Sequence, residues 1–186
     1  MIILNKEEQP PRRRSILRRF TRNARGSVAI EFAALALPFS LLVFAILESC
    51  ISFAAQQVLS NVADDVARQF RTGQIKAGIE DHEVRDIVCN RLEIVVSSNC
   101  PGLVIDLKRY DTFAQAAAQR IPFKDGDLDG DAMGFSPGKA GEINQLRVFY
   151  RWPVITDFMR KSMSNLPDGT TLHFASVTWQ NEPFDD

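Results

Sequence analysis

A stretch of twenty-one residues, Ser27 to Leu47 (SVAIEFAALALPFSLLVFAIL), holds one charge, Glu31, and follows directly on an arginine-rich arm. A helix that crosses the hydrocarbon core of a bilayer needs about 20 apolar residues, with a range of roughly 17–25. The h-region of a secretory signal is shorter, about 7–15 residues. The run is therefore long enough to span a membrane if Glu31 is accommodated. A carboxylate at the centre of such a helix costs roughly 2.5–3.5 kcal/mol on translocon scales, so its presence calls for a reason.

The formal net charge of −1 hides a segregation of charge. Residues 1–26 carry Lys6, Arg12, Arg13, Arg14, Arg18, Arg19, Arg22 and Arg25 against Glu7 and Glu8, a net of +6. The rest of the chain holds the other 14 basic and 21 acidic residues. A basic arm can neutralise nucleic-acid phosphates. Here it runs straight into an apolar segment, which fits the positive-inside pattern of a membrane protein and argues against a nucleic-acid partner. The arm is then cytoplasmic, and everything after the run is exported.

The helix is expected to outlast the membrane. Ala54, Val58, Val62, Val66 and Phe70 recur every four residues among polar neighbours, and Gly73 is a natural cap. One helix from Ser27 to Thr72 would be about 69 Å long, with Pro38 as a kink point. A second helix is expected around Val84, Ile87, Val88 and Leu92. Strands are expected at Gly102–Tyr110, Ile143–Trp152 and Thr170–Gln180, with a helical turn in DTFAQAAAQR, a long Asp/Gly loop over Lys124–Gly141 and a short helix in ITDFMRKSMSN. On strand 143–152, Leu146, Val148, Tyr150 and Trp152 share a face. The expected class is α+β: a long N-terminal helix, transmembrane and then amphipathic, with a small head of a short helix and about three antiparallel strands. The segments are a leader, 1–26, a transmembrane part, 27–48, an amphipathic exported part, 49–73, and a periplasmic head, 74–186.

Arg25-Gly26-Ser27-Val28-Ala29-Ile30-Glu31-Phe32 gives Glu31 a context. It resembles the processing site of type IV prepilins, in which a basic leader ends in glycine, cleavage follows, and the fifth mature residue is glutamate. The Gly-x4-Glu-Phe form, followed by AALALPFSLLVF, is most similar to the tight-adherence (Flp, type IVc) branch. The single long helix, the exported head and the ending TWQNEPF look like the TadE-like pseudopilins. The resemblance implies cleavage by a prepilin peptidase between Gly26 and Ser27 and an assembly role for Glu31 and the adjoining Phe32. It also implies partners: the peptidase, a major Flp-type pilin, other pseudopilins, inner-membrane platform proteins and membrane lipid. The implied place is the inner membrane of a bacterium, with single-pass topology. The chemistry agrees independently: glycine lets an extended backbone approach a protease, and Ala29, Ala33, Ala34 and Ala36 permit close helix approach in lipid. Two other readings remain open: an uncleaved anchor carrying a ligand- or calcium-binding domain, and a secreted chain whose signal ends near Ser52-Phe53-Ala54.

Cys89 and Cys100 lie eleven apart and could close a short loop in an oxidising compartment, or stay as buried thiols; Cys50 is left over. Asp125, Asp127, Asp129 and Asp131 match the first half of a calcium loop, D-x-D-x-D-G, but position twelve is Ser136, not glutamate. The same letters describe a solvated turn, and no cofactor is required. His82 and His173 have no metal-ligand spacing. With no G-x-S-x-G, P-loop or dinucleotide fingerprint, no catalytic residue is assigned and no enzyme is expected.

Overall fold

The computed structural model describes residues 27–184. The arm and Gly26 lie outside these residues. The chain divides into two units, 1–44 and 45–186, and helix α1 (Ser27–Arg71) runs across the division. The 45–186 unit adds α2 (Asp81–Leu92), β1 (Leu103–Tyr110), α3 (Phe113–Ala117), β2 (Phe123–Lys124), β3 (Asp127–Leu128), a 3-10 turn (Gly130–Ala132), β4 (Phe135–Ser136), β5 (Ile143–Pro153), α4 (Asp157–Met163) and β6 (Thr170–Gln180).

Helix α1 stops where the sequence offers Gly73. The glycine has φ +72°, and the amides of Gly73 and Gln74 donate back to the Phe70 and Gln69 carbonyls, so the last turn closes on a left-handed residue. Helix α2 begins with a capping box: Glu83 accepts from the Glu80 amide, and Glu80 reciprocates. Three long strands pair antiparallel in the order β1-β5-β6, and the two-residue β4 adds a parallel edge beside β1. The fold is thus α+β, with the three long strands placed as the sequence indicated, while β3, the 3-10 turn and β4 lie within Lys124–Gly141, where a loop was expected.

The core lies between α1, α2 and one face of the sheet. Leu59, Val62, Ala63, Val66 and Phe70 of α1 and Val84, Val88 and Leu92 of α2 pack on Leu103, Ile105, Leu107, Leu146, Val148 and Trp152. Burying each large aliphatic side chain is worth about 1.5–3 kcal/mol relative to exposure. The buried stripe of α1 differs from the expected one at its start. Ala54 is exposed, whereas Ala55 and Leu59 are buried. A step of four residues overshoots the 3.6-residue turn by about 40°, so a strict four-residue repeat drifts off the packing face, and the true stripe mixes threes and fours.

Strand β5 is buried on both faces. Besides Leu146, Val148, Tyr150 and Trp152, the opposite residues Gln145, Arg147 and Phe149 are covered. The connection between β1 and β5 provides that cover: Arg147 donates to the Arg120 carbonyl, and Gln145 donates to the Ala116 carbonyl. Beneath it lies a charged cluster, in which Asp106 binds Arg147 Nη2 at 2.6 Å and Lys108 Nζ at 3.0 Å and accepts from the Gly134 amide at 2.7 Å. The β1–β5 connection, not the residue pattern of the strand, buries this face.

Candidate functional site: the entrance of the long helix and its seat in the head

The Ser27–Phe32 part of the Gly-x4-Glu-Phe pattern opens α1. Ser27 is its first residue, and Glu31 and Phe32 lie one turn further on. Val28, Ile30, Phe32, Leu35, Leu37 and Phe39 are all exposed, so this part of the helix is apolar towards every side. A helix apolar all round is a membrane span or is covered by a larger core, and here the most apolar window is not covered at all. Among the described residues α1 is the one helix long and apolar enough to cross a membrane. Pro38 sits within it without ending it.

The head holds α1 through a row of polar side chains that the sequence reading passed over. Glu48 is only 6% exposed. Its Oε1 accepts from the Ile155 amide at 2.5 Å and the Thr156 amide at 3.2 Å, and its Oε2 also accepts from the Thr156 hydroxyl. One turn on, the Ser52 hydroxyl meets His173 Nε2 at 3.0 Å, and the His173 ring stacks on Trp152 with centroids 5.4 Å apart. Burial holds the His173 pKa below that of a free imidazole, which favours the neutral ring. A turn further, the Gln56 amide group donates to the Phe174 carbonyl and accepts from its amide, taking the place of a neighbouring strand on edge strand β6. Glu48, Ser52, Gln56 and Ser60 are spaced by four. That polar row, embedded in apolar sequence, was the available signal.

The other expected residues fall as follows. Cys89 and Cys100 form a disulfide with Cα atoms 5.7 Å apart, tying the last turns of α2 to the start of β1. Cys50 is free and exposed. The four aspartates of the Asp/Gly segment do not converge. Asp125 (φ +54°) and Gly126 (φ +83°) are the two central residues of the tight β2–β3 hairpin, which requires left-handed backbone at both. Asp127 pairs with Arg151 at 2.8 Å, and Asp129 caps the 3-10 turn by accepting from the Asp131 amide at 3.1 Å. Among the described residues no group of three or more His, Cys, Asp or Glu side chains is placed to hold a metal ion. Turn chemistry accounts for these residues: Asp and Gly serve here as hairpin and cap formers. His82 lies on the surface of α2 beside Glu80, and His173 is the core residue just described.

In this arrangement the Ser52 hydroxyl and the His173 imidazole are buried against each other. What it offers chemically is a helix long and apolar enough to cross a membrane, with a carboxylate near its start, whose residues from Glu48 onward pack in the head. No curated protein and no solved structure matches the chain. Residues 26–68, from the glycine before the helix to Arg68 within it, match the model of the family described as TadE-like protein, which bears out the resemblance read from Gly26, Glu31 and Phe32.

Proposed function

We propose that this chain is a minor pilin-like subunit of a tight-adherence (type IVc) pilus system. The observation that carries the reading is the placement of the Gly26-x4-Glu31 motif at the start of a 45-residue helix that is apolar and exposed in its first part and seated in a head in its second. A prepilin peptidase cuts after Gly26. The part from Ser27 to about Glu48 lies in the inner membrane, with the basic leader on the cytoplasmic side and the head in the periplasm. The subunit acts in initiating or priming the pilus and turns over no substrate.

The physics of assembly follows from the new terminus. Cleavage leaves a positive α-amine on Ser27, four residues from Glu31, or about 6 Å along the axis. When helices bundle in lipid, the amine of one subunit pairs with the carboxylate of another, and each relieves the other's desolvation. Ala29, Ala33, Ala34 and Ala36 let neighbouring helices approach closely, which is how apolar helices associate without a hydrophobic driving force. Partners are the peptidase, the major Flp-type pilin, other pseudopilins, the membrane platform and lipid.

The test is a Glu31→Ala substitution in a strain that makes the pili. The expected result is a normally processed, membrane-inserted subunit and a severe loss of surface pili. Normal piliation with that variant would remove Glu31 as an assembly contact.

A further inference from the structure

The head exposes an apolar pair that its own core does not need. Ile155 is 74% and Phe158 48% exposed, on the turn after β5 and on the first part of α4. Both sit beside one level of α1. The Ile155 and Thr156 amides are held by Glu48, and the Ser49 hydroxyl lies 3.9 Å from Met163 Sδ at the other end of α4. That level is where the apolar run ends. From Ser27 to Leu47 the helix rises about 31 Å, close to the roughly 30 Å of a hydrocarbon core. Ile46, Leu47, Ile51 and Phe53, on α1 around Glu48, are exposed as well.

We infer that the segment Ile155–Met163 is a membrane-contacting foot of the head. In it Ile155 and Phe158 enter the boundary between headgroups and acyl chains of the leaflet on the exported side, to a depth of roughly 5–10 Å. The inference rests on the reading of α1 as a membrane anchor. Three observations select lipid as the occupant. Glu48 holds the Ile155 and Thr156 amides directly after the exposed Ile46 and Leu47 of α1, so a bilayer that covers α1 to its apolar end reaches the level of the patch. The charged residues of α4 suit the same depth: Lys161 is exposed and, among the described residues, forms no ion pair, and it can reach lipid phosphate, while Arg160 is paired with Asp157 at 3.0 Å. The tether is a buried carboxylate on α1 itself. Glu48 therefore fixes the foot at the depth where the helix leaves the hydrocarbon, and it satisfies the Ile155 and Thr156 amides that would otherwise face a region poor in water. The consequence is that the head is oriented on the membrane by two elements, α1 and the foot.

The experiment uses the full chain, with Cys50→Ser to leave the Cys89–Cys100 bridge undisturbed, in nanodiscs of phosphatidylethanolamine and phosphatidylglycerol. An environment-sensitive fluorophore is placed by Ile155→Cys, Phe158→Cys, Phe39→Cys or Ile94→Cys. Ile94 is an apolar residue of the head that is 86% exposed and controls for apolarity alone. Each labelled protein is first checked for the intact disulfide and buried tryptophan emission. Quenching is then compared between lipids brominated near the top of the acyl chain and aqueous iodide. The expected result is that labels at 155 and 158 are blue-shifted and quenched by the bromolipid, the label at 39 is shielded from iodide, and the label at 94 is quenched by iodide. Iodide quenching at 155 and 158, with 39 still shielded, overturns the foot and leaves the anchor standing. Shielding of 155 and 158 from both quenchers means that a second copy covers them, and it also overturns the foot. Iodide quenching at 39 overturns the anchor reading itself.

Discussion

Breaking the bond between Cys89 and Cys100 is expected to weaken the head by an amount that follows from its loop length. The two residues are eleven apart, and both side chains are buried. Cross-linking a loop of this size removes about 9 cal/mol/K from the unfolded chain, or about 2.8 kcal/mol near room temperature. For a unit of roughly 140 residues the entropy of unfolding is about 0.3 kcal/mol/K, so the loss corresponds to about 9 °C in melting temperature. The assay follows emission of Trp152 and Trp179, both buried in the head, during heating of the full chain in detergent, in a Cys50→Ser background. Comparing oxidised protein with the same protein reduced and refolded keeps every heavy atom and removes only the bond. The Cys89→Ala/Cys100→Ala variant should melt at least as low as the reduced protein and show no response to reductant. Equal melting temperatures for oxidised and reduced protein would refute the reasoning. So would alkylation of both thiols in chain recovered without reductant from the membrane, because on the proposed topology the head meets an oxidising compartment.

Three further perturbations probe the interior. Asp106→Asn removes the charge opposite Arg147, and both side chains are nearly inaccessible; the stranded guanidinium should cost about 3–5 kcal/mol, read as a lower urea midpoint. His173 is held below its ordinary pKa of 6.5 by burial, so the unfolded chain binds more protons than the native one as pH falls below about 6.5. Stability is then complete above that value and declines below it by up to about 1.4 kcal/mol per pH unit, a slope that His173→Gln should reduce in the same urea titrations. Gly73→Ala forces a left-handed backbone on a side chain whose Cβ would lie 2.6 Å from Phe184 Cγ. A loss of at least about 1–2 kcal/mol is expected in the unfolding free energy.

Much of this molecule could be read directly from residue order. The apolar run, the glycine at the end of α1 and the alternation of Leu146, Val148, Tyr150 and Trp152 each reflect local rules, and local rules act wherever the chain goes. What escaped had non-local causes. Asp106 and Arg147 are forty-one positions apart, and nothing in either neighbourhood announces that a loop will cover them. Glu48 reads as the polar end of a membrane segment, yet its partners lie more than a hundred residues downstream. Ala54 and Ala55 differ by one position in an alanine pair, and only the packing face of the sheet selects between them. Asp125 and Asp127 could serve an ion or a turn, and Gly126 in the left-handed region realises the hairpin. The motif around Glu31 was legible for a different reason: a charge in an apolar run is expensive enough to need an explanation.

That explanation has one direct test, the N-terminal sequence of the protein isolated from membranes of cells that carry the prepilin peptidase. The account predicts a chain that begins at Ser27, with full-length chain accumulating when the peptidase is absent. A chain that begins at Met1 in peptidase-positive cells, or near Ala55, would contradict it.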